Sequence, residues 1–282
     1  MKPAAFEYHA PTTLQALLDL LAAHGDSGKI LAGGQSLVPV MNFRLARPEQ
    51  LIDINEVREL DYLRVDGKVL RIGALTRHAA FEKAVVPGPT GRLLAHVVRH
   101  IAHLPIRTRG TFCGSIAHAD PASEWCLVAR TLEAEIVVRS TRGERVLAVA
   151  DYFQGTFATA LAAGEVITEV RLPVFDEGWR TGFYEFSRRA GDFALAMTAV
   201  ALKHEGGRLR EARIGIGAVE DRPTRRTEAE AILMKGGSAD DAAQAIAAAV
   251  EPLEDLHADA PYRRDLVRTT TLRALEQALG RA

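Results

Sequence analysis

A glycine pair that follows a short apolar strand is the first feature of the chain able to bind a ligand. The strand is Ile30-Leu31-Ala32 and the pair is Gly33-Gly34. Glycine lets a ligand approach the backbone closely and permits positive φ. The N–H groups of residues 35–37 at the start of the next helix, with the Ser36 hydroxyl, can then face an anion. A phosphate site and a tight strand–helix turn are both compatible with this pattern, because a glycine pair alone is a weak signal.

A second stretch rich in glycines and hydroxyls is Arg107-Thr108-Arg109-Gly110-Thr111-Phe112-Cys113-Gly114-Ser115. Two donor-rich loops in one domain can hold a pyrophosphate between them. By itself, the second stretch is equally compatible with an ordinary turn.

Histidines supply the next candidates for chemistry. His96, His100 and His103 recur at helical spacing and are potential metal ligands. No Asp or Glu lies near them, and the apolar residues of this segment lie on another side, so an exposed polar stripe is the preferred interpretation. His118 lies between the second stretch and Asp120. The sequence leaves open whether it contacts a ligand or only braces the loop.

The chain contains two cysteines, Cys113 and Cys126. Two thiols cannot ligate an iron–sulfur cluster, which needs about four thiolates. In a chain of this size they indicate reduced thiols and a cytoplasmic protein. Cys113 has no evident base partner, so a structural role is preferred over a reactive thiol. Cys126 follows Trp125 in an apolar segment and is predicted to lie in the core.

Composition excludes several classes of protein. The 282 residues include 35 Lys+Arg and 36 Asp+Glu, and the net charge of -1 gives no support to binding of nucleic acid or a membrane surface. No run approaches ~18 apolar residues, so no membrane span is expected. The first nine residues lack the apolar core of a signal peptide. With 48% hydrophobic residues the chain is predicted to be folded, and its length favours two domains.

The elements that position these residues begin with a small α/β unit. Thr12 or Thr13 is the predicted N-cap of a helix with an apolar stripe at residues 14, 17, 18 and 21, which Gly25 ends. The strand before the glycine pair and a second strand at 51–54 are separated by a crossover.

A larger α/β part is predicted next. Asp66-Gly67 is the turn of a hairpin, a helix covers about 92–103, and 104–115 is a loop. Another helix is predicted with Asp120 as N-cap and Pro121 at its first position. Strands are expected at 135–138, 145–149 and 165–172.

The polar segment Asp176-Glu177-Gly178 follows a proline and is the predicted domain boundary. Strands are then predicted at 183–186, 194–202 and 212–216, followed by helices at 225–234, 239–250 and 262–279. Because strands and helices are segregated, the overall fold class is α+β. The predicted domains are 1–175, with parts at about 1–58 and 59–175, and 176–282.

Taken together, the two glycine-rich stretches resemble the FAD pyrophosphate motifs of the medium subunits of molybdenum hydroxylases, the family of carbon monoxide dehydrogenase and xanthine dehydrogenase. Residues 32–37 resemble the first motif, whose fourth position is often His and here is Gln35. Residues 106–116 resemble the second motif. Similar segments follow in the family's order at 153–156, 164–167, 187–194 and 255–264, so the resemblance covers nearly the whole chain.

The resemblance implies a PCMH-type FAD-binding domain of two α/β parts, followed by a C-terminal α+β domain with a three-stranded sheet and then helices. It implies that Glu124 binds the FAD ribose and that Val166 and Ile167 flank the ring system. Phe112 is favoured as a cover for the isoalloxazine. The full set of implied FAD-binding residues is Ala32, Gly33, Gly34, Gln35, Ser36, Leu37, Thr111, Phe112, Gly114, Ser115, Glu124, Val166 and Ile167. No catalytic side chain and no metal ligand are expected.

The implied role is to pass electrons from an iron–sulfur partner through FAD to an external acceptor. The implied partners are a large subunit with a molybdenum cofactor and a small subunit with [2Fe-2S] clusters, assembled as a dimer of heterotrimers. Two alternatives stay open: a self-sufficient FAD-dependent oxidase, and a non-catalytic assembly module that has lost its flavin.

Two positions depart from the family pattern. Cys113 replaces the first glycine of the usual pair, which costs roughly 1 kcal/mol if the position requires positive φ. Residues 183–187 contain no lysine, although some relatives place one near the ring there. Tyr184 is a candidate substitute for that lysine.

Overall fold

The computed structural model describes residues 1–280, except for the side chain of Asp26. The first part is a three-stranded parallel sheet in the order β1-β3-β2, formed by β1 (Glu7–His9), β2 (Gly28–Leu31) and β3 (Gln50–Asp53). Two helices connect its strands, α1 (Leu14–His24) and α2 (Leu37–Asn42).

Helix α1 confirms its predicted caps. The Thr13 hydroxyl accepts a hydrogen bond from the Ala16 amide, and Gly25 follows the last turn with φ 48°. The predicted apolar stripe is buried. The caps fix where α1 begins and ends. The strand that follows it, β2, lies at the edge of the sheet and leads into the glycine pair.

The second part is an antiparallel five-stranded sheet in the order β4-β5-β10-β6-β7. A two-stranded ribbon, β8-β9, and four helices accompany it. The strands are β4 (Leu63–Asp66), β5 (Val69–Gly73), β6 (Glu135–Ser140), β7 (Gly143–Ala148), β8 (Phe153–Gly155), β9 (Ala158–Thr159) and β10 (Val166–Pro173). The helices are α3 (Gly88–Val97), α4 (Leu104–Arg107), α5 (Phe112–His118) and α6 (Glu124–Leu132).

Three helix predictions in this part need correction. Helix α3 begins at Gly88 and ends at Val97, earlier than expected at both ends, and the early start agrees with Pro89 in its first turn. Residues 104–115 are not a loop throughout, since α4 occupies 104–107 and α5 begins at Phe112, which leaves 108–111 as loop. Asp120 is not a helix cap: its carboxylate accepts the Ala122 amide in a turn, and α6 starts only at Glu124.

The third part is an antiparallel sheet in the order β11-β12-β13-β14, followed by three helices. A two-residue strand, β14, adds to the three strands that were predicted. The strands are β11 (Trp179–Phe186), β12 (Ala196–Glu205), β13 (Arg208–Gly217) and β14 (Thr224–Arg225), and the helices are α7 (Thr227–Met234), α8 (Ala239–Ala249) and α9 (Ala260–Leu279).

This last sheet is covered on both faces. Helices α7 and α9 pack against one face, with α8 packed on α7 and α9, and α3 and α6 from the preceding part pack against the other. Phe183 and Met197 accordingly belong to the hydrophobic core of the first two parts, while Val200 and Ile214 belong to the core beneath α7–α9. Among residues 1–280, no helix combines the length and apolar character needed to span a bilayer.

Candidate functional site

The first loop (residues 32–37) and the second loop (residues 108–115) are in direct contact. A Cβ atom added to Gly33 would lie 2.4 Å from the carbonyl oxygen of Arg109 and 2.6 Å from the Cα of Gly110. Only glycine permits this approach of two backbones. The two stretches that the sequence identifies separately therefore form one site.

A polar bridge that the sequence did not reveal holds the two loops together. The Asn55 side-chain amide donates to the carbonyl oxygen of Ala32 at 2.9 Å, and its oxygen accepts from Arg77 at 2.5 Å. Arg77 also donates to the carbonyl oxygen of Arg109. Burial lowers the pKa of Arg77, and the nearby Arg109 lowers it further. The bridge links β3, the segment after β5 and the second loop, so it fixes the loops relative to each other.

His78 supports the second loop from behind. Its Nδ1 accepts a hydrogen bond from the Trp125 indole at 3.0 Å, and a Cβ on Gly110 would lie 2.6 Å from its Nε2. Burial lowers the pKa of His78 to about 4, with smaller contributions from Arg77 and Arg107. The ring is therefore neutral at neutral pH and serves as packing for the loop.

The first loop presents unused hydrogen-bond donors. Within residues 1–280, the amides of Gln35, Ser36 and Leu37 and the Ser36 hydroxyl donate to no protein acceptor. Gly34 has φ 72°, the left-handed conformation that the glycine pair was predicted to permit. The Gln35 side chain donates back to the carbonyl oxygen of Gly33 at 3.0 Å. This cluster of donors suits an oxyanion such as a phosphate.

The second loop uses part of its donor set internally. The Thr111 hydroxyl accepts the Gly114 amide at 3.0 Å and its carbonyl accepts the Ser115 amide at 3.1 Å, which caps α5. The amides of Gly114 and Ser115 are thus engaged, contrary to the simple expectation for this loop. Within the described chain, the Ser115 hydroxyl has no hydrogen-bond partner and remains available.

Phe112 and Cys113 lie inside the core. The Phe112 ring is fully buried and packs on Phe81 and Trp125, with ring centroids 5.6 and 4.9 Å away, so the prediction that it covers a ligand is wrong. Cys113 is in the first turn of α5 without positive φ, and the anticipated backbone strain does not arise. Burial raises the pKa of the Cys113 thiol, which excludes a reactive thiolate. Cys126 is buried too, as predicted.

Glu124, the first residue of α6, is 9% exposed. Burial raises the pKa of its carboxyl to about 7, and Asp120 adds to the effect. Val166 and Ile167 lie on β10 beside α5, but their side chains are buried in the core. These two residues can therefore offer a ligand backbone contacts more readily than side-chain contacts.

Several other candidates are accounted for by packing. The His118 ring packs at a tilt against Phe157, which lies between β8 and β9, with ring centroids 4.8 Å apart. Tyr184 is partly exposed and lies on the face of β11 opposite Phe183 and Glu185. Glu185, and not Tyr184, therefore projects from β11 toward the first two parts of the chain.

The histidine stripe is exposed at His96 and His103, as predicted, but not at His100. The His100 ring packs edge-on against Phe183, and its Nδ1 lies 3.9 Å from the Glu185 carboxyl. Burial raises the pKa of Glu185 to about 9, with a further contribution from Glu124, and burial lowers that of His100 to about 4. The pair is accordingly neutral at neutral pH. Among residues 1–280, no group of three or more His, Cys, Asp or Glu side chains is arranged to hold a metal ion.

Comparison with known families gives matches along nearly the whole chain. Residues 4–175 match the FAD binding domain in molybdopterin dehydrogenase, and residues 181–278 match the CO dehydrogenase flavoprotein C-terminal domain. The medium subunit of nicotine 6-hydroxylase from Paenarthrobacter nicotinovorans is 39% identical, with 100% of both chains covered.

Solved structures of the same family match the fold of this chain. A chain of carbon monoxide dehydrogenase from Hydrogenophaga pseudoflava, in a form that lacks the Mo-pyranopterin moiety, is 36% identical with a TM-score of 0.95 and 100% of both chains covered. A chain of quinoline 2-oxidoreductase from Pseudomonas putida 86 is also 36% identical, with a TM-score of 0.91 over 100% of this chain and 99% of that one. These matches confirm the predicted fold, and they agree with the chemistry of the donors in the two loops.

Proposed function

We propose that this chain, which belongs to the family of FAD-binding medium subunits of molybdenum hydroxylases, relays electrons from an iron–sulfur partner to an external acceptor. The chain is an oxidoreductase flavoprotein subunit with FAD as its cofactor. The contact between Gly33 and Arg109, which joins the two donor-rich loops, is the observation that carries the proposal.

In the proposed site, the first loop binds the FAD pyrophosphate through the unused amides of residues 35–37 and the Ser36 hydroxyl. Ala32, Gly33 and Gly34 shape the backbone of this loop. Thr111, Gly114 and Ser115 close the site from the other side, where Thr111 orders the loop by capping α5 and Ser115 supplies a hydroxyl. Glu124 is placed at the ribose, and the backbone of Val166 and Ile167 at the ring system.

When bound, FAD supplies the redox chemistry, accepting electrons from a cluster on a partner and delivering them to the acceptor. The task of this chain is to bind and orient the cofactor. Its own two thiols are free and buried and are too few to ligate a cluster, which supports a cluster on a partner chain as the electron source. The two thiols also support our assignment of the protein to the cytoplasm.

The partners we propose are a large subunit with a molybdenum cofactor and a small subunit with [2Fe-2S] clusters, assembled as a dimer of heterotrimers. Relatives and neighbours named for nicotine, quinoline and carbon monoxide are 36–39% identical to this chain over its whole length. These proteins are named for different substrates, yet their identity to this chain is similar. This supports the view that the substrate is selected on another subunit.

Co-expression of the chain with its neighbouring gene products tests the proposal. We expect a large molybdenum-containing chain and a small cluster-containing chain to co-purify, and a chemical reductant of the cluster to bleach the flavin absorbance in the complex. A lone chain that oxidises a small substrate at full rate would instead support the self-sufficient oxidase. Absence of releasable FAD from both the lone chain and the complex would support the flavin-free assembly module.

A further inference from the structure

A polar cavity lies away from the two loops, where the last turn of α6 meets β8 and β14. Its volume is about 350 Å³. Three arginines line it, Arg130, Arg222 and Arg225, and no Asp or Glu is among the lining residues. Arg130 lies six residues after Glu124 on α6, about 9 Å along the helix. None of the residues that line the cavity is among those assigned to FAD.

Two carboxylates beside the cavity, Glu133 and Glu230, are already bound. Arg225 forms a two-point ion pair with Glu230 at 2.6 and 2.8 Å and a further ion pair with Glu133. The second oxygen of Glu133 pairs with Arg213 at 3.2 Å, and an oxygen of Glu230 also accepts the Ile214 amide. Glu133 and Glu230 are therefore already engaged by other groups.

Arg130 and Arg222 keep unused donors. Within residues 1–280, the half-buried Arg130 side chain has no hydrogen-bond partner and no ion pair. Burial lowers its pKa and the positive charge of Arg225 adds to the effect, whereas the carboxylates of Glu133, Glu230 and Asp151 oppose it. Arg222 donates only to the carbonyl oxygen of Gln154, at 3.2 Å. A half-buried guanidinium such as that of Arg130 gains from a bound anion, and the exposed Arg222 guanidinium lines the same cavity.

We propose that this cavity binds the phosphoryl group of a small phosphorylated molecule or of free phosphate, with Arg130 and Arg222 as its principal ligands. A phosphoryl dianion neutralises two guanidinium groups, and their planar forks match its oxygens in pairs. Gln154 and Thr224 provide further polar groups in the wall. The cavity is larger than one phosphoryl group, which leaves room for the remainder of a phosphate monoester.

Titration of the FAD-loaded full chain tests this site, because bound FAD keeps the two loops from competing for the probe. Inorganic phosphate and glycerol phosphate are titrated by calorimetry, with sodium chloride at equal ionic strength as the reference. We expect saturable binding of one anion per chain. Tighter binding of the monoester assigns the site to a phosphorylated molecule and equal binding assigns it to free phosphate, and either result supports the site.

Variants identify the ligands. Arg130→Gln and Arg222→Gln are each expected to weaken binding at least about tenfold, the loss of one charge-assisted contact. Arg273→Gln, on the exposed face of α9, is the matched control and should bind as the unmodified chain does. If Arg130→Gln fails to fold, Arg222→Gln decides in the same way. No saturable binding to the unmodified chain, or unchanged affinity in a folded Arg130→Gln or Arg222→Gln chain, would overturn the proposal.

Discussion

Gly33 packs against the carbonyl of Arg109 so closely that a Cβ on residue 33 would lie only 2.4 Å from that oxygen. The contact joins two loops from different parts of the fold, and the Asn55–Arg77 bridge holds it from the side. Any side chain at residue 33 must therefore separate the donors that the two loops bring together.

Gly33→Ala is expected to weaken FAD binding about tenfold to a hundredfold, because the backbone shifts that relieve such an overlap cost about 1–3 kcal/mol. Flavin retained per chain after gel filtration measures the effect. Gly67→Ala is the control: it has φ 59° and nothing within 4 Å, so it should lose about 1 kcal/mol of stability and keep its flavin. Equal flavin content in Gly33→Ala and the unmodified chain would contradict the assigned loop contact.

Substitutions at Ser36 and Thr111 should have different effects, the first on FAD affinity and the second on the stability of the apo chain. The Ser36 hydroxyl has no protein partner within the described chain, whereas that of Thr111 caps α5. Ser36→Ala is expected to lower FAD affinity about tenfold to a hundredfold, the loss of a hydrogen bond to a charged group, with an unchanged unfolding midpoint of the apo chain. Thr111→Ala should cost about 1 kcal/mol of apo stability. Urea unfolding and FAD titration of each variant provide the test, and an unchanged affinity in Ser36→Ala would refute its role.

Cys113 and Cys126 should be unreactive in the native protein, since burial raises the pKa of both thiols and Cys113 is only 3% exposed. A thiol-specific chromogenic reagent is expected to detect two thiols after denaturation and none on the same timescale before it. Cys113→Ala should retain its FAD and lose about 1 kcal/mol of stability. Rapid modification of native Cys113 would show that α5 does not have the packing described.

Glu185 is expected to make the protein less stable as the pH rises. Its folded pKa of about 9 exceeds the ordinary value of 4.5, so between these pH values the folded state binds a proton that the unfolded state lacks. Stability from this group is therefore complete below pH 4.5 and is lost as the pH rises to about 9. The groups facing it are Glu124 from α6 and His100 after α3, and neither supplies a positive charge at neutral pH.

Glu185→Gln should remove this dependence, so that the variant gains thermal stability over the unmodified chain more at pH 9 than at pH 6. Unfolding temperatures across this pH range measure it. Glu177→Gln, at a carboxylate 75% exposed, is the control and should give a constant difference. Parallel pH profiles for Glu185→Gln and the unmodified chain would contradict the buried neutral carboxyl.

The sequence predicted correctly those elements that depend on interactions between residues close together in the chain. The Thr13 cap, the Asp66-Gly67 hairpin and the strands on either side of the glycine pair follow from adjacent residues. The start of α6 did not, because Asp120-Pro121 has the pattern of a helix cap and forms a turn instead. Tertiary packing, which single residues do not encode, determined that outcome.

The sequence predicted the two loops of the site but not the side chains that hold the loops in place. Glycines and hydroxyls in series identified both loops, whereas Asn55, Arg77 and His78 act through partners distant in sequence and gave no pattern. Phe112 was misassigned because its position in the motif does not show which way the ring turns. The partial burial of His100 likewise depends on Phe183, which belongs to another part of the chain.

The flavin content of the purified full chain, alone and in its co-expressed complex, tests the central claim most directly. We expect one FAD per chain, released by denaturation and identified by its absorbance and chromatography, and a clear loss in Gly33→Ala. A colourless chain that yields no FAD in either preparation, and that cannot be loaded with added FAD, would contradict the assignment of the two loops as a flavin site.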